Sequence, residues 1–77
     1  MPQVTDQEAI AANVRAAKAR RRVTDADIAN AIGASRSAIN DRMNGRAKFQ
    51  IDELQRIAAF LDVPLEQLLA PAEAAVS

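Results

Sequence analysis

Apolar residues recur along this chain at three- and four-residue intervals, the spacing that lines up side chains on one face of a helix. Ile10, Val14 and Ala17 make the first stripe. Thr5 and Glu8 stand ahead of it at capping-box spacing, which predicts a helix running to about Arg21. Thr24 and Asp27 give a weaker version of the same start before Ile28, Ala29 and Ile32. Gly33 then ends the second helix, because glycine adopts the left-handed conformation beyond a helix end without steric cost. Ser35 caps a third helix that carries Ile39 and Met43 at i,i+4 and stops at Asn44-Gly45. A loop from Arg46 to Gln50 leads to a fourth, marked by Ile51, Leu54, Ile57, Ala58 and Leu61. Pro64 opens a short fifth with Leu65, Leu68 and Leu69, and Pro71 closes it. The predicted fold class is all-α, with five helices in one domain over residues 1–70 and a tail, 71–77, that has no evident core role.

Composition supports this reading and narrows the chemistry. Seventy-seven residues make one domain with a modest core. The chain is 49% hydrophobic and 26% charged, as a globule is, and its only aromatic residues are Phe49 and Phe60. Its abundant alanine favours helix over strand. Without cysteine it forms no disulfide or thiolate metal site, and without histidine it lacks the commonest general base and metal ligand. No serine therefore has an activating histidine, so an enzyme is not expected, nor a metal or cofactor. No apolar run approaches the roughly 20 residues of a membrane span, and the N-terminus lacks the layout of a signal peptide. The expected setting is the cytoplasm of a bacterium or of a phage-infected host.

The formal net charge is zero, but the charge is unevenly placed. From Arg15 to Lys48 nine bases stand against three acids, a net of +6; the flanks hold Arg56 against seven acids, a net of −6. A basic middle of this kind steers an anionic partner, although solvated helix faces account for charge alone equally well. Arg20-Arg21-Arg22 also has two readings: a favourable interaction at the C-terminal end of the first helix, or an extra phosphate-binding edge.

The informative unit is Thr24 to Asn44. Two short helices separated by Gly33-Ala34-Ser35 fit a helix-turn-helix, with the small Ala29 where they cross. Burial of Ile39 leaves Arg36, Ser37, Asn40 and Asp41 facing outward together with Arg42, all polar and suited to base edges and phosphates. The segment VTDADIANAIGASRSAINDRMNGRAKF followed by IDELQRIAAFLDVPLEQLL resembles the lambda-repressor-like (XRE-type) family of phage Cro proteins, phage repressors and related bacterial regulators. The resemblance covers roughly residues 8–70 and lies in the joint spacing of Ile28-Ala29, Ile32-Gly33, Ser35, Ile39, Asn44-Gly45, Leu54, Ile57-Ala58, Leu61 and Leu68-Leu69.

The resemblance implies a five-helix fold whose third helix enters the major groove of double-stranded DNA. By position it makes Ser35, Arg36, Ser37 and Asp41 the base-side residues, with Asn40 as an addition. Arg36 leads this set because a guanidinium donates bidentately to guanine O6 and N7; a phosphate contact is the other role open to it. Ser37 and Asn40 have solvated surface as their alternative. Asp41, repelled by phosphate, accepts from cytosine N4 or orients Arg42 or Arg46. Thr24, Asn44, Arg46 and Lys48, together with Arg42, fall on the phosphate side, where contacts fix register without reading sequence. The chain departs from the family at Asp25, where glutamine is frequent. It departs again at Lys18 and Met43, where many members pair an arginine with a glutamate. The resemblance also implies a homodimer on a pseudo-palindromic operator with half-sites about 10 base pairs apart. Leu65, Leu68, Leu69 and Val76 are its candidate contacts, although the leucines equally complete a core. The other function open to the sequence is a protein-interaction module, such as an antitoxin-type adaptor, working through the acidic C-terminal third.

Overall fold

The computed structural model describes residues 7–70. Over them the chain folds into five helices: α1 (Gln7–Arg21), α2 (Asp25–Ile32), α3 (Arg36–Met43), α4 (Ile51–Leu61) and α5 (Leu65–Leu69). Each of the five predicted helices is present. Thr5, the tail and Val76 lie outside the described residues. Among the described residues no helix is long and apolar enough to cross a membrane.

The apolar stripes meet in one core. Ile10, Val14 and Ala17 of α1 pack with Ile28, Ala29 and Ile32 of α2, Ile39 and Met43 of α3, Leu54, Ile57, Ala58 and Leu61 of α4, and Leu68 of α5. α1 rests on α3, α4 and α5, whereas α2 rests on α3 and α4. Ile51 departs from its stripe: as the first residue of α4 it is 54% exposed, whereas Leu54 three residues on is fully buried. Phe49, in the loop that the sequence left without a core role, is buried instead. Its backbone N–H donates to Gln7 Oε1 at 2.6 Å, which pins the loop to the start of α1.

The first four helices stop in the same way. In each, a residue with positive φ follows the helix and donates to the carbonyl three residues back, while the next residue donates five back. This is the Schellman arrangement, which satisfies carbonyls left open at a helix end. Val23 donates to Lys18 O after α1, Ala34 to Ala29 O after α2, Arg46 to Asp41 O after α3 and Val63 to Ala58 O after α4. Gly33 and Gly45 take the left-handed position at φ 73° and 80°, whereas Arg22 and Asp62 take it at φ 57°. After α1, α2 and α4 the next residue is apolar, and Val23, Ala34 and Val63 fold back onto the core. After α3 it is the exposed Arg46, so this turn sends the chain outward.

Left-handed backbone costs a side-chain-bearing residue ~1–2 kcal/mol. Glycine's larger entropy loss, ~0.5–1 kcal/mol, offsets part of what a substitution recovers. Arg22→Gly is therefore expected to raise stability by about 0.5–1 kcal/mol, read as a higher urea midpoint with an unchanged slope. A lower midpoint would mean that the arginine side chain outweighs the backbone term.

Arginines from one helix also cap the C-terminus of another. Arg15 Nη2 donates to Met43 O at the end of α3, Arg21 Nη2 to Asp62 O just past α4, and Arg56 Nη1 to Ile32 O at the end of α2. Cations near a helix C-terminus also suit its dipole. Within the triple-arginine run, Arg21 thus serves the end of α4 rather than that of its own helix. The most buried polar link between helices is Asn13, 5% exposed within the α1 stripe, whose Nδ2 donates to Leu68 O at 3.0 Å and Ala70 O at 2.7 Å. It holds α5 and the residue after it against α1.

Candidate nucleic-acid interface

The helix-turn-helix is set by two side-chain caps and one glycine. Thr24 Oγ1 accepts the Asp27 amide at 3.1 Å while Asp27 Oδ2 accepts the Thr24 amide at 2.9 Å, a complete capping box. Gly33 turns the chain, and Ser35 Oγ accepts the Ala38 amide at 3.0 Å to begin α3. Each hydroxyl still has its own proton to donate outward. Ile39 and Met43 fasten one face of α3 to the core. The opposite side displays Arg36, Ser37, Asn40 and Asn44, all exposed.

The Arg36 side chain makes no ion pair or hydrogen bond with any described residue, so its fork of donors is available to a partner. It lines an open cleft with Ser37, Asn40 and Asp25. Asn44 Nδ2 donates to Asn40 O at 2.9 Å and to Asn40 Oδ1 at 3.1 Å, fixing which way the Asn40 amide points. Asn40 Nδ2 stays available to donate. Asp41 stands 3.6 Å from Arg46 Nη1, and its backbone carbonyl accepts the Arg46 and Ala47 amides, so it holds the loop that carries Arg46. Lys48 is exposed farther along that loop.

Arg42 is placed differently from the rest of the predicted set. It lies on the α4 flank of α3, where Nε and Nη2 form a fork with Glu53 at 3.0 and 2.9 Å and Nη1 donates to Ala38 O. Glu53 Oε1 also accepts the Gln50 amide at 2.9 Å, so one carboxylate closes the start of α4 and ties it to α3. Both side chains are mostly covered, at 18% and 16% exposure. Lys18 and Met43 stand where many members of the family that the sequence resembles pair an arginine with a glutamate; the covered ion pair of this chain is Arg42–Glu53 instead, for which the sequence pattern carries no signal. Lys18 itself bonds Asp25 Oδ1 at 2.7 Å, which fixes the acid at the start of α2 against α1.

The model of the helix-turn-helix family matches residues 14–68, from the middle of α1 through most of α5. The chain belongs to the helix-turn-helix family. Such domains place the second helix of the motif in the DNA major groove while the first crosses the backbone. In this helix-turn-helix protein the first and second helices of the motif are α2 and α3. Its fold is similar to a crystal structure of a hypothetical transcription factor, NHTF, from Neisseria. The TM-score is 0.78 at 23% identity, with 99% of this chain and 88% of that chain covered. No curated protein matches the chain.

Proposed function

We propose that this chain is a sequence-specific regulator of transcription that inserts α3 into the major groove of an operator, in the manner of the Cro proteins and repressors its sequence resembles. One observation carries the reading. The exposed strip of α3 is polar and largely unengaged, while the buried side of the same helix is locked to the core by Ile39, Met43 and the Arg42–Glu53 fork. A rigid helix that offers free donors along one face is suited to reading base edges.

Within this reading Arg36, Ser37 and Asn40 contact bases, and Ser35 joins them while capping the helix. Thr24 on one side and Asn44, Arg46 and Lys48 on the other hold phosphates. Asp41 orients Arg46. Arg42 keeps α3 in place against α4, since its donors are directed at protein. A single module has few contacts, so the protein acts as a homodimer on a pseudo-palindromic site with half-sites about one helical turn apart.

Selection of bound sites from a pool of randomised duplexes tests the proposal. Recovery of a two-fold symmetric motif with affinity falling steeply as salt rises is the expected result. Absence of binding to any duplex at low salt would overturn it and favour a protein partner. Lys48→Ala separates positioning from reading. It is expected to weaken binding to selected and random duplexes by the same factor and to flatten the salt slope by about one unit, measured by fluorescence anisotropy across a salt series.

A further inference from the structure

Asp25 is an acid in the first turn of α2, where a helix N-terminus attracts phosphate and where the crossing helix of this motif meets the DNA backbone. Three observations give it a purpose. Lys18 Nζ holds Oδ1 at 2.7 Å, so the side chain is fixed and only 28% exposed. No described residue donates to Oδ2. Finally, Asp25 and Arg36 together line two adjoining clefts, one with Ser37 and Asn40 and the other with Lys18, Val23, Thr24 and Ala26.

The carboxylate therefore borders the clefts that Arg36 also lines. A phosphate entering there meets a fixed negative charge, whereas a guanidinium in the same space gains an acceptor behind it. We propose that Asp25 is a positioning residue for specificity: it bars Arg36 from the phosphate backbone and supports its fork toward base edges. Lys18 keeps the carboxylate in place through Oδ1 and leaves Oδ2 without a described donor. The inference rests on the DNA-reading function proposed above and adds to it a residue that reads no base.

The test compares the wild type with Asp25→Asn on the selected site, on that site with the Arg36-dependent base pair changed, and on random duplex, each across a salt series. Asp25→Asn is expected to bind random duplex more tightly, with a salt slope steeper by about one unit, and to lose about tenfold of its discrimination at the Arg36-dependent pair. Asp25→Gln repeats the loss of charge should the asparagine variant fail to fold. Lys18→Gln breaks the same ion pair but keeps the carboxylate. It is expected to retain tighter discrimination than Asp25→Asn and to bind random duplex more weakly than the wild type. Unchanged discrimination in the Asp25 variants, or equal effects from Lys18→Gln, would reduce Asp25 to an α1–α2 tether and overturn the proposal. Wild type that binds no duplex overturns the DNA-reading function itself, so the two failures are distinct.

Discussion

Asn13→Asp is expected to destabilise the fold at pH 7 by about 3–5 kcal/mol, the usual cost of a buried, unpaired charge. Asn13 Nδ2 donates to two carbonyls, Leu68 O and Ala70 O, from a position that is 5% exposed. A carboxylate of the same shape has only acceptors, so two donated bonds become two repulsive contacts while the charge stays buried. A small domain holds total stability near the low end of about 5–15 kcal/mol, so this single change brings the chain close to unfolding. The loss is expected to be graded with pH. Burial against two carbonyls favours the protonated acid, so the folded-state pKa of the new group lies above its unfolded value. Its penalty is then full above the folded pKa and diminishes as pH falls through it, because the neutral acid regains one donor. Asn13→Ala, which removes the bonds without adding charge, is expected to lose about 1–3 kcal/mol with no such recovery. Urea denaturation of both variants at pH 7 and pH 4.5 checks this. If the aspartate and alanine variants behave alike at both values, the donated bonds do not hold α5 to α1.

Asn13 also shows what the sequence could reveal. It sits at i+3 from Ile10 and i+4 before Ala17, so a polar residue occupies a core position in an otherwise apolar stripe. That signal marks a buried amide, but its partners lie 55 and 57 residues away on carbonyls that carry no residue-specific signature. The helices themselves were legible because their causes are local: stripes of three- and four-residue spacing, hydroxyl caps at Thr24 and Ser35, and glycine at the end of α2. The exposed face of α3 followed from the same periodicity once Ile39 was placed inward. Arg42 shows the limit of that argument. Its position on the flank of α3 was compatible with solvent or with a neighbour, and only the packing of α4 brings Glu53 within 2.9 Å. The left-handed Arg22 was equally hidden, because an arginine gives no hint of a turn that Val23 stabilises by packing behind it. Local grammar thus predicts elements and their faces, whereas long side chains find partners that only tertiary geometry decides.

Arg36→Ala is expected to cost about 1–3 kcal/mol at one base pair of the selected site and to leave preference at the other positions intact. Arg36 is the residue of the reading face that combines a full set of unengaged donors with a place in the first turn of α3. A bidentate fork distinguishes guanine from the other bases because O6 and N7 match its two parallel N–H groups, whereas a phosphate contact is blind to sequence. The two roles therefore differ in kind. Loss of a base contact changes the motif recovered from a randomised pool, whereas loss of a phosphate contact lowers every affinity together, as expected for Lys48→Ala. Arg36→Lys sharpens the distinction. It preserves the charge but not the planar fork, so discrimination should fall nearly as far as in the alanine variant while affinity for random duplex stays close to wild type. Stability should change little in either variant, since Arg36 is exposed and bonds no described residue, and α3 remains anchored by Ile39, Met43 and the Arg42–Glu53 fork. The decisive measurement is site selection on the wild type and both variants at one salt concentration. An identical motif from all three would move Arg36 to the phosphate backbone and leave Ser37 and Asn40 to carry the sequence reading.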